Sequence, residues 1–236
     1  MKKNYINRYH ELEKRHWWFI ARRQLIKELL EKHLKKGSKV LDAGCGTGVN
    51  ICEFSKYDCI GLDQNKEFIS ICKKNGLNAV EGNFLDSPFN EETFDGILCL
   101  DMLEHLEDDL GGIKEIYRLL KKRGSAIITV PAFMLLWSVH DETNEHKRRY
   151  TKKGLEKKFI RQGFKIVRST YWNCIMFLPV LIIKKLNKII GRKDDFSHHT
   201  SLVNSVFLKV LGLEKYLIMQ DINLPIGASI VIIVQK

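Results

Sequence analysis

Apolar residues recur along this chain in two alternating rhythms. Residues 8 to 35 place leucine and isoleucine every three or four positions, which predicts one or two amphipathic helices before the break at Lys36-Gly37-Ser38. Short apolar runs, typical of buried strands, follow at 39–41, 59–62, 78–80, 94–100 and 126–130. Helical patterns separate these runs. The alternation predicts βαβ units and therefore an α/β protein with a mostly parallel sheet.

The helix predicted for residues 108 to 122 has the clearest pattern, and Arg123-Gly124 is expected to end it. Beyond Tyr150 we predict a helix over 152–162, a strand over 164–169 and a final strand over 230–234. Between these two strands lie about 50 residues with two apolar helical patterns. That length is too great for a simple connection, so it predicts a helical insertion.

A chain of 236 residues suits a single domain. The pattern divides it into an N-terminal helical cap (1–37), a ligand-binding core (38–132), a loop, helix and strand (133–172), the helical insertion (173–222) and the final strand (223–236).

Composition narrows the class of protein only a little. The chain has 39 Lys and Arg against 28 Asp and Glu, a net charge of +11, which suits a nucleic acid, an anionic membrane surface or an anionic substrate. The first residues lack the apolar core of a secretory signal. The six cysteines show no metal-binding spacing. We therefore expect a cytoplasmic protein with reduced cysteines, in contact with a membrane at most peripherally.

The strongest chemical signal is the segment Val40-Leu-Asp-Ala-Gly-Cys-Gly-Thr-Gly48. Its glycines permit positive φ and close approach of the backbone to a ligand. Asp42 is placed at the carboxyl end of a strand, where open α/β sheets bind ligands. The Gly-x-Gly-x-Gly spacing differs from the Gly-x-Gly-x-x-Gly of dinucleotide sites. The segment therefore predicts a nucleotide-type site other than one for NAD, with candidate residues Asp42, Gly44, Cys45, Gly46 and Gly48.

Two later strand ends add candidates to the same site. Asp63, followed by Gln64, could accept hydrogen bonds from ribose hydroxyls, or it could cap the next helix. Asn83 and Phe84 could bind the edge and the face of an adenine, or they could form a turn. Leu100, at the end of the fourth strand, completes the predicted wall.

Together these motifs resemble those of class I S-adenosylmethionine-dependent methyltransferases. The resemblance rests on residues 40–48, Asp63, Gly82-Asn83, Phe94 to Leu98, Glu104-His105-Leu106 and Leu119 to Gly124. It implies a Rossmann-like, seven-stranded, mostly parallel sheet whose last strand is antiparallel. It also implies that the glycine loop holds the methionine end of S-adenosylmethionine, Asp63 the ribose, and Asn83 with Phe84 the adenine. Many relatives carry Asp at the position of Asn83, although an amide can also pair with an adenine edge.

Candidate catalytic groups follow the fourth strand. Asp101, Glu104 and His105 could supply a base, or they could only shape the cofactor pocket. They could also converge on a metal ion, but carboxylates and a histidine at such short spacing are common without one. We therefore predict no metal.

A second group lies in residues 136–150, which read Leu-Trp-Ser-x-His-Asp and then His-x-Arg-Arg-Tyr. This loop resembles a signature found in a type 11-like subset of bacterial and archaeal methyltransferases. We expect His140, Asp141 and His105 to be catalytic. The remaining side chains are expected to bind the acceptor: Trp137, His146, Arg148, Arg149 and Tyr150. In the alternative, His140 and Asp141 tie the loop together while the arginines are solvated.

The N-terminal run His16-Trp17-Trp18-Phe19 with Arg22 also looks like the segment preceding the core in this subset. It could be a lid over the cofactor, with an arginine reaching the cofactor carboxylate. Packing of a helix on the sheet is the simpler account for Trp17 and Trp18.

The insertion bears on the methyl acceptor. Its apolar run at 174–183 is too short to span a bilayer and is followed by Lys184, Lys185, Lys188, Arg192 and Lys193. This run could lie on an anionic membrane surface, cover a lipid-like acceptor, or form a buried helix pair with the apolar positions at 202–213. We expect a small acceptor that is lipid-linked, quinone-like or glycan-associated. The alternatives are an RNA methyltransferase and an inactive cofactor-binding partner protein.

Overall fold

Seven strands form one mixed sheet in the computed structural model, which describes residues 10–175, 177–179, 181–182 and 201–236. The strand order is β3-β2-β1-β4-β5-β7-β6. β7 runs antiparallel to both of its neighbours, and every other pair is parallel. The strands are β1 (Lys39–Ala43), β2 (Asp58–Asp63), β3 (Ala79–Glu81), β4 (Phe94–Leu100), β5 (Leu120–Pro131), β6 (Lys165–Trp172) and β7 (Ser229–Gln235). The predicted fold is confirmed.

Helices connect and flank these strands. They are α1 (Trp17–His33), α2 (Val49–Glu53), α3 (Lys66–Lys74), α4 (Asp109–Leu119), α5 (Val139–Thr143), α6 (Lys152–Arg161) and α7 (Ser201–Met219). Residues 10–15 are also helical, and three single-turn 3₁₀ segments occur at Phe84–Asp86, Leu103–His105 and Met134–Leu136. Side-chain caps begin several of the helices, for example Asp108, whose carboxylate accepts a hydrogen bond from Gly111 N at 2.8 Å.

The helix α1 is part of the main core. Its leucine and isoleucine positions predicted one apolar face, and Leu25, Ile26 and Leu29 are fully buried. At its N-terminal end the ring of Trp17 lies 4.9 Å from that of Phe207 on α7. The cap and the insertion therefore pack against each other.

The helix predicted over 108–122 ends earlier than expected. It stops at Leu119, and the strand β5 begins at Leu120, which pairs with Phe94. Arg123 then takes a positive φ of 66°, and regular pairing resumes at Ser125 opposite Gly96. Leu120 is buried by the sheet. Leu120 is therefore apolar because the strand buries it, although its spacing also continues the helical pattern.

The insertion is described only in part. Residues 183–200, including Lys184, Lys185, Lys188, Arg192 and Lys193, lie outside the described residues, as do the side chains of 202 and 203. Within the described part, no helix is long and apolar enough to cross a membrane. All six cysteines are free thiols, as expected.

Candidate active site

The turn between β1 and α2 is built around glycines in left-handed conformations. Gly44, Gly46 and Gly48 have φ values of 75°, 54° and 81°. A Cβ at Gly44 would come 2.8 Å from Cγ of Met102, and one at Gly48 would come 2.7 Å from Leu77. Other residues would be strained here and would collide with the neighbouring segments. The sequence pattern thus reflects a real requirement for glycine.

Asp42 places a buried carboxylate beside this turn. One oxygen accepts a hydrogen bond from the Asn50 side chain at 3.3 Å, whereas Oδ1 has no partner among the described residues. Burial raises the pKa of Asp42 to about 7. A buried acceptor atom with no partner is costly, and a polar donor on a bound ligand would relieve that cost.

Asp63, at the end of β2, is tied to the glycine turn. Its carboxylate accepts hydrogen bonds from the backbone N–H of Gly46 at 2.9 Å and of Asn65 at 2.8 Å. Asn65 itself caps α3. The helix-capping role considered for Asp63 is therefore filled by its neighbour. Gln64, between them, is exposed.

The third strand end lies at the same edge of the sheet, where Gly82 N donates to Asp63 O at 3.0 Å. Asn83 is exposed, and its side-chain oxygen accepts a hydrogen bond from Leu85 N at 3.0 Å. Phe84 is buried, as is Leu100 at the end of β4. The candidate cofactor residues therefore gather at one edge.

Residues before α1 cover the glycine turn. The Thr47 hydroxyl donates a hydrogen bond to the Glu13 carboxylate, and His10 Nδ1 lies 2.6 Å from the same hydroxyl. Burial raises the pKa of Glu13. Sequence reasoning missed this contact, because a histidine and a glutamate three positions apart are common on helices. These contacts come from residues that precede the aromatic run considered as a lid.

Arg22 contacts the end of β4. It donates to the Asp101 carboxylate, which also accepts from the Thr129 hydroxyl at 2.9 Å. Its guanidinium lies 4.8 Å from the centre of the Trp18 ring. In this structure the arginine fixes α1 to the sheet.

Asp141 is the centre of the loop 136–150. It is fully buried, and Arg149 binds both of its oxygens, at 2.8 and 3.0 Å. The Ser138 N–H donates to it at 2.8 Å and His146 Nδ1 lies at 2.9 Å. The carboxylate is thus held by donors on several sides, which suits a positioning role for Asp141.

The other polar residues of the loop join it to the start of α4. Arg148 contacts the Asp109 carboxylate at 3.1 Å, and the Tyr150 hydroxyl donates to it at 3.0 Å. Burial raises the pKa of Tyr150. Trp137 donates to Glu142 at 3.4 Å. The structure therefore gives Arg148 and Tyr150 clear intramolecular partners.

Three histidines meet beside this network. The His146 ring packs edge-on against His105 and His140, with ring centres 4.6 and 6.0 Å apart. The side-chain amide of Asn144 lies 3.0 Å from His140 Nδ1. His105 is exposed as a whole residue, but its ring is partly shielded from water. This desolvation, followed by the charge of the nearby His146, lowers the pKa of His105 to about 4. The predicted catalytic residues are thus neighbours.

Comparison with known proteins identifies the family of this chain. The chain is 31% identical over 180 residues to an uncharacterized protein of Methanocaldococcus jannaschii, covering 69% of this chain and 77% of that protein. Residues 41–128 match the family model described as a methyltransferase domain. The chain belongs to the class I S-adenosylmethionine-dependent methyltransferases.

Two named relatives each match about half of this chain. A tRNA (carboxymethyluridine(34)-5-O)-methyltransferase of Xenopus tropicalis is 31% identical over 50% of this chain and 18% of its own length. Cycloartenol-C-24-methyltransferase 1 of rice, Oryza sativa, is 36% identical over 46% of this chain and 32% of its own. The chain thus spans a third or less of these two relatives.

The similarity in fold extends over almost the whole chain. A solved S-adenosylmethionine-dependent methyltransferase from Archaeoglobus fulgidus superposes with a TM-score of 0.58 over 97% of this chain and 99% of that chain, at 22% identity. S-adenosylmethionine is the methyl donor of the family. The residues present fit it, because the left-handed glycines bring backbone close to the pocket and Asp42 offers a buried acceptor atom.

Proposed function

We propose that the protein transfers a methyl group from S-adenosylmethionine to a small acceptor that is lipid-linked, quinone-like or glycan-associated. The observation that supports an apolar acceptor is a group of exposed apolar side chains next to the loop 136–150. We call this group the apolar rim. Its members are 51–66% exposed and are Met134, Leu135, Ile175, Leu178 and Ile182.

Aromatic contacts join the two halves of the apolar rim. Phe133 stacks on Tyr171 with ring centres 5.1 Å apart, and Phe177 packs edge-on against Phe133 with ring centres 5.8 Å apart. These rings bring the residues after β5 next to those after β6. Exposed apolar side chains that lie near one another on a folded protein favour an apolar partner. Its position beside the candidate catalytic loop suits an apolar acceptor.

The family and the geometry of the sheet edge both support a donor site at this edge. The glycine turn with Asp42 would hold the methionine part, Asp63 the ribose, and Asn83 with Phe84 the adenine. Cys45, Gln64 and Leu100 would line the remaining wall. Bound there, the sulfonium supplies a methyl group already activated for displacement. The chain then has to align the acceptor and exclude water.

His140 is proposed as the general base for an acceptor hydroxyl, with His105 as a second candidate. His140 is half-buried, and its ring contacts Asn144, which can hold its orientation. Asp141 would act through His146 and Arg149 without touching the acceptor.

The test uses S-adenosylmethionine labelled in its methyl group. The purified protein is incubated with a lipid extract, with total RNA and with polar metabolites in separate reactions. We expect label in a product of the lipid extract. Label only in RNA would instead support an RNA methyltransferase, which the charge of +11 and the similarity to the tRNA enzyme favour. Binding of S-adenosylhomocysteine without any labelled product would indicate an inactive cofactor-binding protein.

A second experiment tests the apolar rim directly. The double variant Leu135→Ser and Leu178→Ser should lose co-sedimentation with vesicles of phosphatidylglycerol and should label the lipid product more slowly. The matched control is Ile160→Ser, because Ile160 is 57% exposed but lies on α6, outside the rim. Wild-type protein that does not sediment with the vesicles even at low salt would argue against a membrane contact.

A further inference from the structure

Glu104 is a buried carboxylate without a visible reason to be there. The residue is fully buried, and neither carboxylate oxygen has a hydrogen-bond partner in the described part of the chain. An ionised carboxylate in such a place is strongly unfavourable. The group therefore needs a proton or a cation.

Two histidines lie where a shared cation would sit. One ligand atom from each of Glu104, His105 and His146 lies within 4.8 Å of the other two. The His105 and His146 rings pack edge-on with their centres 4.6 Å apart, so both imidazoles stand beside the Glu104 carboxylate.

The surrounding loop orients these ligands as protein metal sites do. The Nδ1 of His146 lies 2.9 Å from Asp141, so its other ring nitrogen is the one left to bind. Metal-binding histidines usually donate their second nitrogen to a carboxylate in this way. Arg149 holds Asp141 in turn.

We propose that Glu104, His105 and His146 bind a divalent transition-metal ion of the zinc, cobalt or manganese type. Two imidazoles and one carboxylate suit these ions and leave coordination positions open. Metal bonds of about 2.0–2.2 Å require the ligand atoms to close by roughly 1 Å, which side-chain rotation allows. The sequence had led us to expect no metal. His146 changes that conclusion, because it lies 41 positions beyond His105 and reaches the site only through the fold.

The site lies next to the donor pocket. Met102, two residues before Glu104, lies against Gly44 of the glycine turn. An acceptor oxygen bound at an open coordination position would lose its proton more readily. His140 could receive that proton, because its ring centre lies 6.0 Å from that of the ligand His146. This catalytic use rests on the proposed function, whereas binding of the ion does not.

The experiment titrates chelator-treated protein with Co²⁺ and follows the visible absorption of the protein-bound ion. We expect one equivalent to bind to the wild type, with Zn²⁺ displacing it. The variants Glu104→Gln and His146→Gln should weaken binding at least about 100-fold, and Asp141→Asn about 10-fold or more. The control His33→Gln removes a half-buried histidine at the far end of α1 and should bind as the wild type does.

Thermal unfolding provides the second measurement. Zn²⁺ should raise the melting temperature of the wild type and of His33→Gln but not that of Glu104→Gln. Glu104→Gln should remain folded, because it removes a buried charge and keeps the shape. Equal Co²⁺ binding by wild type and Glu104→Gln, or no binding by the wild type, would overturn the site.

Binding of S-adenosylhomocysteine is measured on the same samples. If the protein binds S-adenosylhomocysteine but no metal, the metal site is refuted and the proposed function stands. If it binds Co²⁺ through Glu104 but forms no methylated product, the metal site stands and the proposed function is refuted.

Discussion

Replacing Asp141 with Asn tests whether the loop 136–150 depends on one buried charge. The carboxylate and its partner Arg149 are 0% and 6% exposed, so neither charge can turn to water. Asparagine keeps the size of the side chain but cannot accept both guanidinium hydrogen bonds, and it leaves Arg149 buried and unpaired. Removing one partner of such a pair costs about 3–5 kcal/mol. The free energy of unfolding should fall by this amount, which lowers the urea midpoint by about 1 M or more.

The matched control is Glu107→Gln in a neighbouring loop. Glu107 also forms an ion pair, with Lys147 at 2.7 Å, but its side chain is 79% exposed. Exposed pairs contribute little, so this variant should unfold at the wild-type midpoint. If the two variants unfold at the same urea concentration, Asp141 does not organise the loop.

Three further predictions concern the donor pocket and the base. Gly48→Ala should weaken S-adenosylhomocysteine binding, measured by calorimetry, about 10-fold or more. The control is Gly37→Ala, which should leave the affinity unchanged, because Gly37 has a similar φ of 78° but nothing within 4 Å of an added Cβ. Equal binding by both variants would mean that the close packing of Gly48 does not matter. Because burial raises the pKa of Asp42 from 3.8 to about 7, the folded chain takes up a proton in this range. The free energy of unfolding of the wild type relative to Asp42→Asn should therefore be greatest below pH 4 and should fall as the pH rises to 7, by at most about 4 kcal/mol. Urea denaturation at each pH measures this difference, and a difference that stays constant with pH would refute the raised pKa of Asp42. His140→Ala should abolish methyl transfer with S-adenosylhomocysteine affinity unchanged, and unchanged turnover would remove His140 from the site.

Most of the fold could be predicted from periodicity, because each strand and helix buries one consistent face. The end predicted for α4 was wrong for a physical reason. Leu120 continues the helical spacing, but the sheet buries it opposite Phe94. Local periodicity records that a residue is buried, and it does not record which element buries it.

The candidate site divides in the same way. Asp42, Asp63 and the glycines could be found because each follows a strand at the same edge of the sheet. The partners of Asp141 and the pairing of Glu104 with His146 could not, because they depend on how two loops approach each other. Lys147 N donates to Glu104 O at 2.8 Å, and this contact between the loops has no periodic signal.

The contact of Glu13 and His10 with Thr47 has a consequence for how the protein is prepared and compared. The family model begins at residue 41, so a fragment cut at that boundary would lack the side chains that cover the glycine turn and the apolar face of α1. Such a fragment would lose Leu25, Ile26 and Leu29, which are fully buried in the main core, so we expect it to expose apolar surface and to aggregate. Ligand affinities are therefore best measured on protein that keeps residues 10–40.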